Sequence, residues 1–212
     1  MKKLLLITVF YALTYGVHGQ TRAGLKLAPD LNFNRVIATS DTLQFSSQGA
    51  GVRFIFGPVF DFPLGSSNAY FTSGLLYSPK RIGIKVEGRE TPSRYQEIYK
   101  LQYLQIPGVV SFYTNEIGLD KRLYFQVGLE LEIKISEKDG SPNQLFVSDF
   151  RTFNLSSVLG MGVELTQGTT TVLAIGLGYH RGLNDIASGS LPIDGSFVIK
   201  PDVLSLDFTL WF

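Results

Sequence analysis

Residues 123–135 alternate between two kinds of side chain. Each odd position carries a bulky apolar residue, and each even position carries a polar residue, a glycine or a tyrosine. Alternation with a period of two predicts a β-strand that has an apolar medium on one face and a polar medium on the other. A soluble strand has about 5 or 6 residues, whereas a tilted strand of about 10 residues crosses a membrane. The pattern therefore indicates a membrane-crossing strand.

Seven further segments share this two-faced pattern. The eight predicted strands are 23–33, 51–62, 69–78, 98–113, 123–135, 150–166, 170–180 and 203–212. The third is weaker than the others. The faces of the fourth stay unassigned, because Pro107 has no N–H group and predicts a bulge or a change of parity. An even number of strands can close into a barrel without an unpaired edge.

The connections between these strands alternate in length. Those after the second, fourth and sixth strands are short, at 63–68, 114–121 and 167–169, and those after the odd-numbered strands are well over ten residues long. Outer-membrane barrels combine short periplasmic turns with long extracellular loops. The sequence therefore predicts an all-β fold, a closed antiparallel eight-stranded outer-membrane β-barrel, with both termini in the periplasm.

A soluble barrel of the lipocalin type, with its apolar face inward, fits the same alternation. Residue size favours the membrane barrel, because eight strands leave little room inside and the polar face carries Gly128, Gly160, Gly162, Gly176 and Gly178. Aromatic residues near the predicted periplasmic strand ends are expected to form an interfacial girdle. These are Phe60, Phe62, Tyr70, Phe71, Phe112, Tyr113, Tyr124, Phe125, Trp211 and Phe212.

The N-terminal residues have the pattern of a secretory signal peptide. Lys2 and Lys3 precede an apolar stretch, 4–13, that is too short to cross a bilayer as a helix. Cleavage after Gly19 or Gln20 assigns residues 1–19 to the signal peptide and 20–212 to the barrel domain. Removing two lysines from 19 basic groups leaves 17 against 18 acidic groups, a net charge of −1. Such a charge provides no basic field for nucleic acid.

Composition excludes several kinds of site. The chain has no cysteine, which excludes a lipoprotein anchor, a disulfide and a thiolate metal site. His18 belongs to the signal peptide, so His180 is the single histidine of the mature chain, and a multi-histidine zinc site is excluded. No cofactor and no metal are therefore expected.

Four short motifs carry a resemblance to a known family. They are Ala-Gly-Leu-Lys at 23–26, Ser-Gly-Leu-Leu-Tyr-Ser at 73–78, Tyr-Leu-Gln-Ile-Pro at 103–107 and Arg-Gly-Leu-Asn-Asp at 181–185. With them the mature chain resembles the PorT-like outer-membrane β-barrel proteins of Bacteroidetes over essentially its whole length, although that family more often has Tyr or Ser where His180 and Arg181 stand. Most such proteins have no assigned activity, and one branch serves type IX secretion and gliding. The resemblance implies a non-enzymatic structural or adaptor protein of the cell envelope.

The predicted interior face carries ten ionisable residues. They are Lys26, Arg53, Lys134, His180, Asp30, Asp61, Glu130, Glu132, Glu164 and Asp207. One hypothesis is a proton or ion path, or an acid pair at Glu130 and Glu132. The favoured one is a narrow barrel filled with paired charges, because unpaired charges are costly at low dielectric. Arg53 is expected to pair with Asp61 or Glu130.

His180 also suggests an alternative function. Together with Ser188 or Ser190 and Asp185 it could form the serine-type site of a lipid A-modifying enzyme. The spacing matches no known motif, and a polar interface residue at the outer rim of a strand is the favoured interpretation. No catalytic residue is predicted.

Three features suggest partners. The region 80–100 mixes lysines and arginines with glutamates and is predicted to be a solvated loop whose arginines contact lipopolysaccharide phosphates. Asp41–Leu43 resembles the site at which Bacteroidetes attach O-glycans, with Thr42 as acceptor. The C-terminal Phe212, in register with Leu206, Phe208 and Leu210, resembles the signal that the barrel-assembly machinery reads.

Overall fold

The computed structural model describes residues 21–38, 43–65, 68–88, 94–118, 120–139, 147–167, 171–190 and 197–212. Within these residues the chain forms twelve β-strands. None of the described residues lies in a helix long and apolar enough to cross a membrane. The predicted signal peptide at 1–19 and the candidate glycan acceptor Thr42 fall outside the described residues.

Twelve strands are described, and those that form the barrel wall pair antiparallel with the next wall strand along the chain. Their bounds are β1 Arg22–Ala38, β2 Leu43–Ser47, β3 Gly51–Pro63, β4 Ala69–Gly74, β5 Leu76–Gly88, β6 Arg94–Tyr113, β7 Lys121–Asp139, β8 Val147–Phe150, β9 Phe153–Gln167, β10 Thr171–Gly182, β11 Ala187–Ser190 and β12 Phe197–Trp211. All of them except β8 and β11 belong to one antiparallel sheet, and β8 and β11 pair with each other.

The large sheet closes on itself. β1 pairs with β12 on one side, where Gly24 lies opposite Trp211, and with β3 on the other side, where Leu27 lies opposite Phe56. β4 and β5 form a single wall strand interrupted at Leu75, and β2 extends the wall beside β5 beyond the start of β3. Counted in this way the wall has eight strands, which confirms the predicted closed antiparallel barrel.

The bulge or parity change predicted at Pro107 is wrong. Pro107 is buried in unbroken alternation with Gln105 and Val109, and the register shift of β6 lies between Gln102 and Tyr103. The neighbouring wall strand is irregular at Leu75, which lies between two prolines. The N–H of Leu75 donates to the carbonyl of Pro58 on β3, but Pro58 has no N–H to donate in return. On the other side, Pro107 of β6 also has no N–H to offer. The wall strand is interrupted there, between β4 and β5.

The two faces of the wall are as predicted. Leu27, Phe56, Leu129, Leu159 and Leu177 point outward with exposed fractions of 49–57%. The residues that alternate with them are polar or small and point into the barrel. An apolar outer face of this kind suits lipid, and it excludes the lipocalin-type arrangement, in which the apolar face would line the interior.

Two of the predicted long loops are largely strand. β1 continues to Ala38 and β2 begins at Leu43, while β5 continues to Gly88 and β6 begins at Arg94. The predicted solvated loop at 80–100 is therefore mostly barrel wall. The wall is taller at this end, which we call the extended end. The opposite end, which carries the short connections between β3 and β4, β6 and β7, and β9 and β10, is called the turn end.

Candidate functional site: a closed, charged interior

Arg22 holds together the turn end of the interior, and the sequence analysis did not single it out. Its Nη2 donates to Asp61 at 2.7 Å and its Nη1 donates to Glu164 at 3.0 Å. The guanidinium group also lies 4.5 Å from the ring centre of Tyr70 and 5.1 Å from that of Trp211. Ion pairs and cation–π contacts both strengthen away from water. Together these side chains form a plug.

Four members of the predicted aromatic girdle belong to the interior instead. Tyr113, Tyr124 and Trp211 are buried inside the barrel, and the partly buried Tyr70 packs against them. Glycines make room for them, since a Cβ at Gly162 would come within 2.6 Å, and one at Gly176 within 2.2 Å, of the Tyr124 side chain. Outward-facing aromatic residues are nevertheless present at this end, as predicted: Phe60, Phe71, Phe112, Phe125 and Phe212.

A buried ion pair crosses the middle of the interior. Lys80 Nζ lies 2.6 Å from Glu132 Oε1, and the two side chains are 2% and 0% exposed. The ammonium group also lies 5.6 Å from the ring centre of Tyr103, and Asn154 donates to the same carboxylate. Lys80 was predicted to lie in a solvated loop, which is wrong, because its backbone belongs to β5 and its side chain points inward.

A second set of paired charges lies beside this pair. Lys26 Nζ lies 2.7 Å from Asp207, as the hypothesis of paired lumenal charges predicts. Glu130 accepts a hydrogen bond from His180 Nδ1 at 2.8 Å. His180 is therefore deep in the interior, and its predicted place at the outer rim of a strand is wrong. Glu130 and Glu132 have separate partners, His180 and Lys80, and do not form an acid pair.

Glu130, His180 and Ser205 stand in the order of a catalytic triad. His180 Nε2 lies 3.3 Å from Ser205 Oγ. A serine nucleophile must transfer its proton to histidine, but Ser205 Oγ is closer to a carboxylate oxygen of Asp207, at 2.7 Å, which accepts that proton in a charge-assisted hydrogen bond. The serine is therefore not activated for attack.

The burial of these three side chains also argues against a reaction at Ser205. Ser205, His180 and Glu130 are 1%, 5% and 2% exposed. The cavity beside His180 measures about 40 Å³, which is room for roughly one to three water molecules and for no acyl chain. Asp185, the other predicted partner, binds backbone instead, since it accepts from the N–H groups of Ala187 and Ile199. The side chains of Ser188 and Ser190 lie outside the described part of the structure.

Two other cations differ from their predicted roles. Arg53 Nη1 donates to the carbonyl of Val52 at 2.7 Å, and its predicted partner Asp61 is taken by Arg22, so the predicted ion pair is wrong. Lys134 lies near the extended end, 3.0 Å from Asp149. The hydrogen bond from Lys134, with a second from the backbone N–H of Phe150, lowers the pKa of the Asp149 carboxyl below its usual value.

The extended end of the interior is filled by apolar side chains. Tyr99 packs against Phe150 of β8 with ring centres 5.0 Å apart. The buried cluster comprises Ile82, Ile84, Val86, Tyr99, Leu101, Tyr103, Val147, Phe150, Ile186, Ala187 and Ile199. β8 and the segment around β11 supply part of this cluster, so they pack into the extended end of the interior. Across the described residues, no three His, Asp or Glu side chains are grouped as metal ligands would be.

A comparison with protein families agrees with this architecture. Residues 15–188 match the model of a family described as an outer membrane protein beta-barrel domain. The chain belongs to this family. Membership places the protein in the outer membrane. Comparison with curated proteins found no match.

Solved structures of bacterial outer-membrane proteins are similar in fold. The outer membrane protein OprG from Pseudomonas aeruginosa is similar over 90% of this chain and 96% of its own, with a TM-score of 0.57 and 10% identity. Neisserial surface protein A matches 92% of this chain and 100% of its own, with a TM-score of 0.45 and 12% identity. Ail of Yersinia pestis, solved with the heparin analogue sucrose octasulfate, covers the same shares with a TM-score of 0.44 and 13% identity. The similarity to OprG supports the fold alone.

Proposed function

We propose that this protein is a non-enzymatic, non-conducting outer-membrane barrel that serves as a structural or adaptor component of the cell envelope. The observation that carries the proposal is the filling of the interior by three successive layers. These are the plug around Arg22, the buried ion pairs Lys80–Glu132 and Lys26–Asp207, and the apolar cluster at the extended end. A pore needs a continuous path for water, and a lipid-modifying enzyme needs access to its reactive groups.

The proposal includes an orientation. Short connections are typical of the periplasmic side of outer-membrane barrels, so the turn end and both termini lie in the periplasm and the extended end lies at the cell surface. The extended end has its own apolar core, which gives it the order that a docking platform for an envelope protein requires. The resemblance to PorT-like proteins of Bacteroidetes supports a role linked to type IX secretion or gliding.

Electrical recording tests the closed interior. The purified protein, shown to be folded by faster gel migration before boiling, is inserted into planar bilayers. We expect no stepwise conductance, and channels that open in every preparation would contradict the proposal. In cells, deletion of the gene is expected to leave the mass profile of lipid A unchanged while secretion or motility changes. An altered acylation pattern would instead support the enzymatic alternative.

Cysteine labelling tests the orientation. Because the chain has no cysteine, Thr91→Cys, between β5 and β6, and Ser67→Cys, between β3 and β4, each introduce a single thiol. A membrane-impermeant maleimide is expected to label position 91 in intact cells and position 67 only after the outer membrane is permeabilised. The reverse pattern would overturn the orientation.

We also propose that Phe212 is the contact for the barrel-assembly machinery. Phe212 is 62% exposed, and its N–H donates to Ala23, so the last residue still pairs with the first strand. Phe212→Asp is expected to lower the amount of folded barrel in the outer membrane, whereas the conservative control Phe212→Tyr is expected to assemble normally. Normal assembly of Phe212→Asp would contradict this role.

A further inference from the structure

Three cations form a cluster on the outer surface of the barrel. Arg35 of β1, Lys200 of β12 and Arg181 of β10 all occupy outward-facing positions on neighbouring strands. Arg35 lies directly opposite Lys200, and Arg181 lies directly opposite Asp202. We call Arg35, Arg181 and Lys200 the basic cluster.

The charge of this cluster is only partly compensated. Two acidic residues among those described lie beside the cluster. Asp202 is buried beneath the guanidinium group of Arg35, which donates to it from Nε at 2.7 Å and from Nη2 at 3.0 Å. The carboxylate of Asp185 accepts from the N–H of Ile199, the neighbour of Lys200 in β12. Three positive charges against two negative charges leave a local charge of +1. Like charges directly opposite each other, as at Arg35 and Lys200, destabilise a sheet unless an anion lies between them.

The basic cluster borders the apolar band of the barrel. Leu204, two residues beyond Asp202 along β12, is outward-facing and 43% exposed, with Leu31 opposite it on β1. Leu204 contributes to two apolar grooves on the outer surface. One groove, of about 230 Å³, is also lined by Leu31, Val52 and Leu206. The other, of about 530 Å³, is also lined by Phe125, Leu159, Met161 and Leu177.

Cations above and apolar grooves below suit one kind of ligand, an amphipathic lipid with an anionic headgroup. We propose that the basic cluster binds a phosphate group of an outer-leaflet glycolipid, whose acyl chains lie in the grooves on either side of Leu204. Arginine donates two parallel hydrogen bonds to a phosphate, and a neighbouring lysine adds a point charge. The assignment to the outer leaflet rests on the proposed function, because it requires the extended end to face outward.

Native mass spectrometry of the purified full-length protein in detergent tests the proposal. The probes are diphosphorylated lipid A, the same lipid with its phosphates removed, inorganic phosphate and a polysulfated oligosaccharide. The test variant is Arg181→Gln/Lys200→Gln, which spares Arg35 and its contact with Asp202. The control variant, Lys100→Gln/Lys121→Gln, removes the same charge from exposed positions on β6 and β7, which lie away from the cluster. Faster gel migration before boiling shows that both variants are folded.

We expect the wild-type protein to retain diphosphorylated lipid A, the test variant to bind it about 10-fold more weakly, and the control variant to stay within about twofold, given the usual gain per cation near an anionic surface. Equal binding of the dephosphorylated lipid would overturn the phosphate contact. Full competition by inorganic phosphate would identify free phosphate as the ligand, and binding of the polysulfated oligosaccharide in place of the lipid would identify a soluble polyanion. Either result would overturn the proposal.

The experiments distinguish failure of the proposed orientation from failure of the lipid site. If position 91 is labelled only from the periplasm while the lipid still binds through the cluster, the orientation is wrong and the phosphate site stands, although not in the outer leaflet. If position 91 is labelled from outside and the test variant binds like wild type, the orientation stands and the lipid site is wrong.

Discussion

The same strands build two regions of opposite polarity. At the level of the apolar band, β12 directs Ser205 and Asp207 inward and Leu204 outward. Toward the extended end it directs Ile199 into the apolar core and Lys200 outward. The polarity of the two faces therefore inverts around Asp202, although the alternation of side chains and the pairing of the backbone continue without a break.

The inversion marks the level at which the medium outside the barrel changes. A lipid-facing wall gains nothing from polar groups outside, so it keeps them inside, where each finds a partner. A wall that projects into water is stabilised like a soluble protein, by an apolar interior. The apolar band of the outer surface thus ends where the apolar residues change from the outer face of the strand to the inner face. The strand itself continues past that level.

The largest expected effect comes from breaking the ion pair in the membrane-level region. Lys80→Met leaves the carboxylate of Glu132 buried without its cation, and we expect a loss of about 3–5 kcal/mol of unfolding free energy. The double variant Lys80→Met/Glu132→Leu removes both charges and is expected to recover most of that loss. Urea unfolding in lipid bilayers measures both. A double variant as unstable as the single variant would show that the pairing of charges is not the cause.

Truncation of apolar side chains contrasts the two regions directly. Ile84 is fully buried in the core of the extended end, so Ile84→Ala is expected to cost about 2–5 kcal/mol through the cavity it leaves. Leu177, on the outer face of the membrane-level region, is 55% exposed. Leu177→Ala is expected to cost only about 1–2 kcal/mol, because the transfer of the removed groups from water into lipid is lost but lipid tails fill the space and no cavity remains. Similar losses in the same unfolding experiment would contradict the inversion of the two faces.

The structure reverses the expected ranking of two polar variants. A rim position for His180 would make His180→Gln almost neutral, and a pairing of Arg53 with Asp61 or Glu130 would make Arg53→Leu leave a buried acid unpaired. Because His180 is buried against Glu130 and Ser205, His180→Gln is now expected to cost about 1–3 kcal/mol. Because Arg53 donates to a backbone carbonyl, Arg53→Leu is expected to lower the unfolding free energy by less than about 0.5 kcal/mol. Heat-modifiability midpoints of the two variants compare them, and lipid A mass in the histidine variant is expected to stay unchanged.

The smallest expected effect concerns Asp149, outside the membrane band. Its pKa is lowered in the folded protein by the hydrogen bond from Lys134. A lowered folded-state pKa contributes stability above the unfolded-state value, and that contribution disappears as the pH falls through the folded-state value. Because the side chain of Asp149 is 65% exposed, Asp149→Asn is expected to cost less than about 1 kcal/mol at neutral pH. In unfolding measurements the difference from wild type should shrink as the pH falls below the unfolded pKa of about 3.9, and it should vanish once the pH lies below the lowered folded-state pKa.

The sequence by itself determined the number of wall strands and the faces of all of them except the fourth. A period of two, sustained through segments such as 123–135, indicates which medium each face of a strand contacts. This inference needs no information about neighbouring strands. It therefore predicted that Leu129 faces lipid and that Glu130 faces the interior. It also predicted that interior charges pair, because an unpaired charge is costly at any position inside the barrel.

The tertiary structure alone decided which groups pair. Lys80 and Glu132 are 52 positions apart, and Arg22 meets Glu164 from 142 positions away. Those partners depend on the register and tilt of all eight strands, which no local pattern contains. The same holds for Tyr124. Its aromatic ring alone predicts a place in the interfacial girdle, but glycines on two neighbouring strands leave space for it inside the barrel. Local alternation is set by the backbone of one strand, whereas the choice of partner is set by closure of the whole barrel.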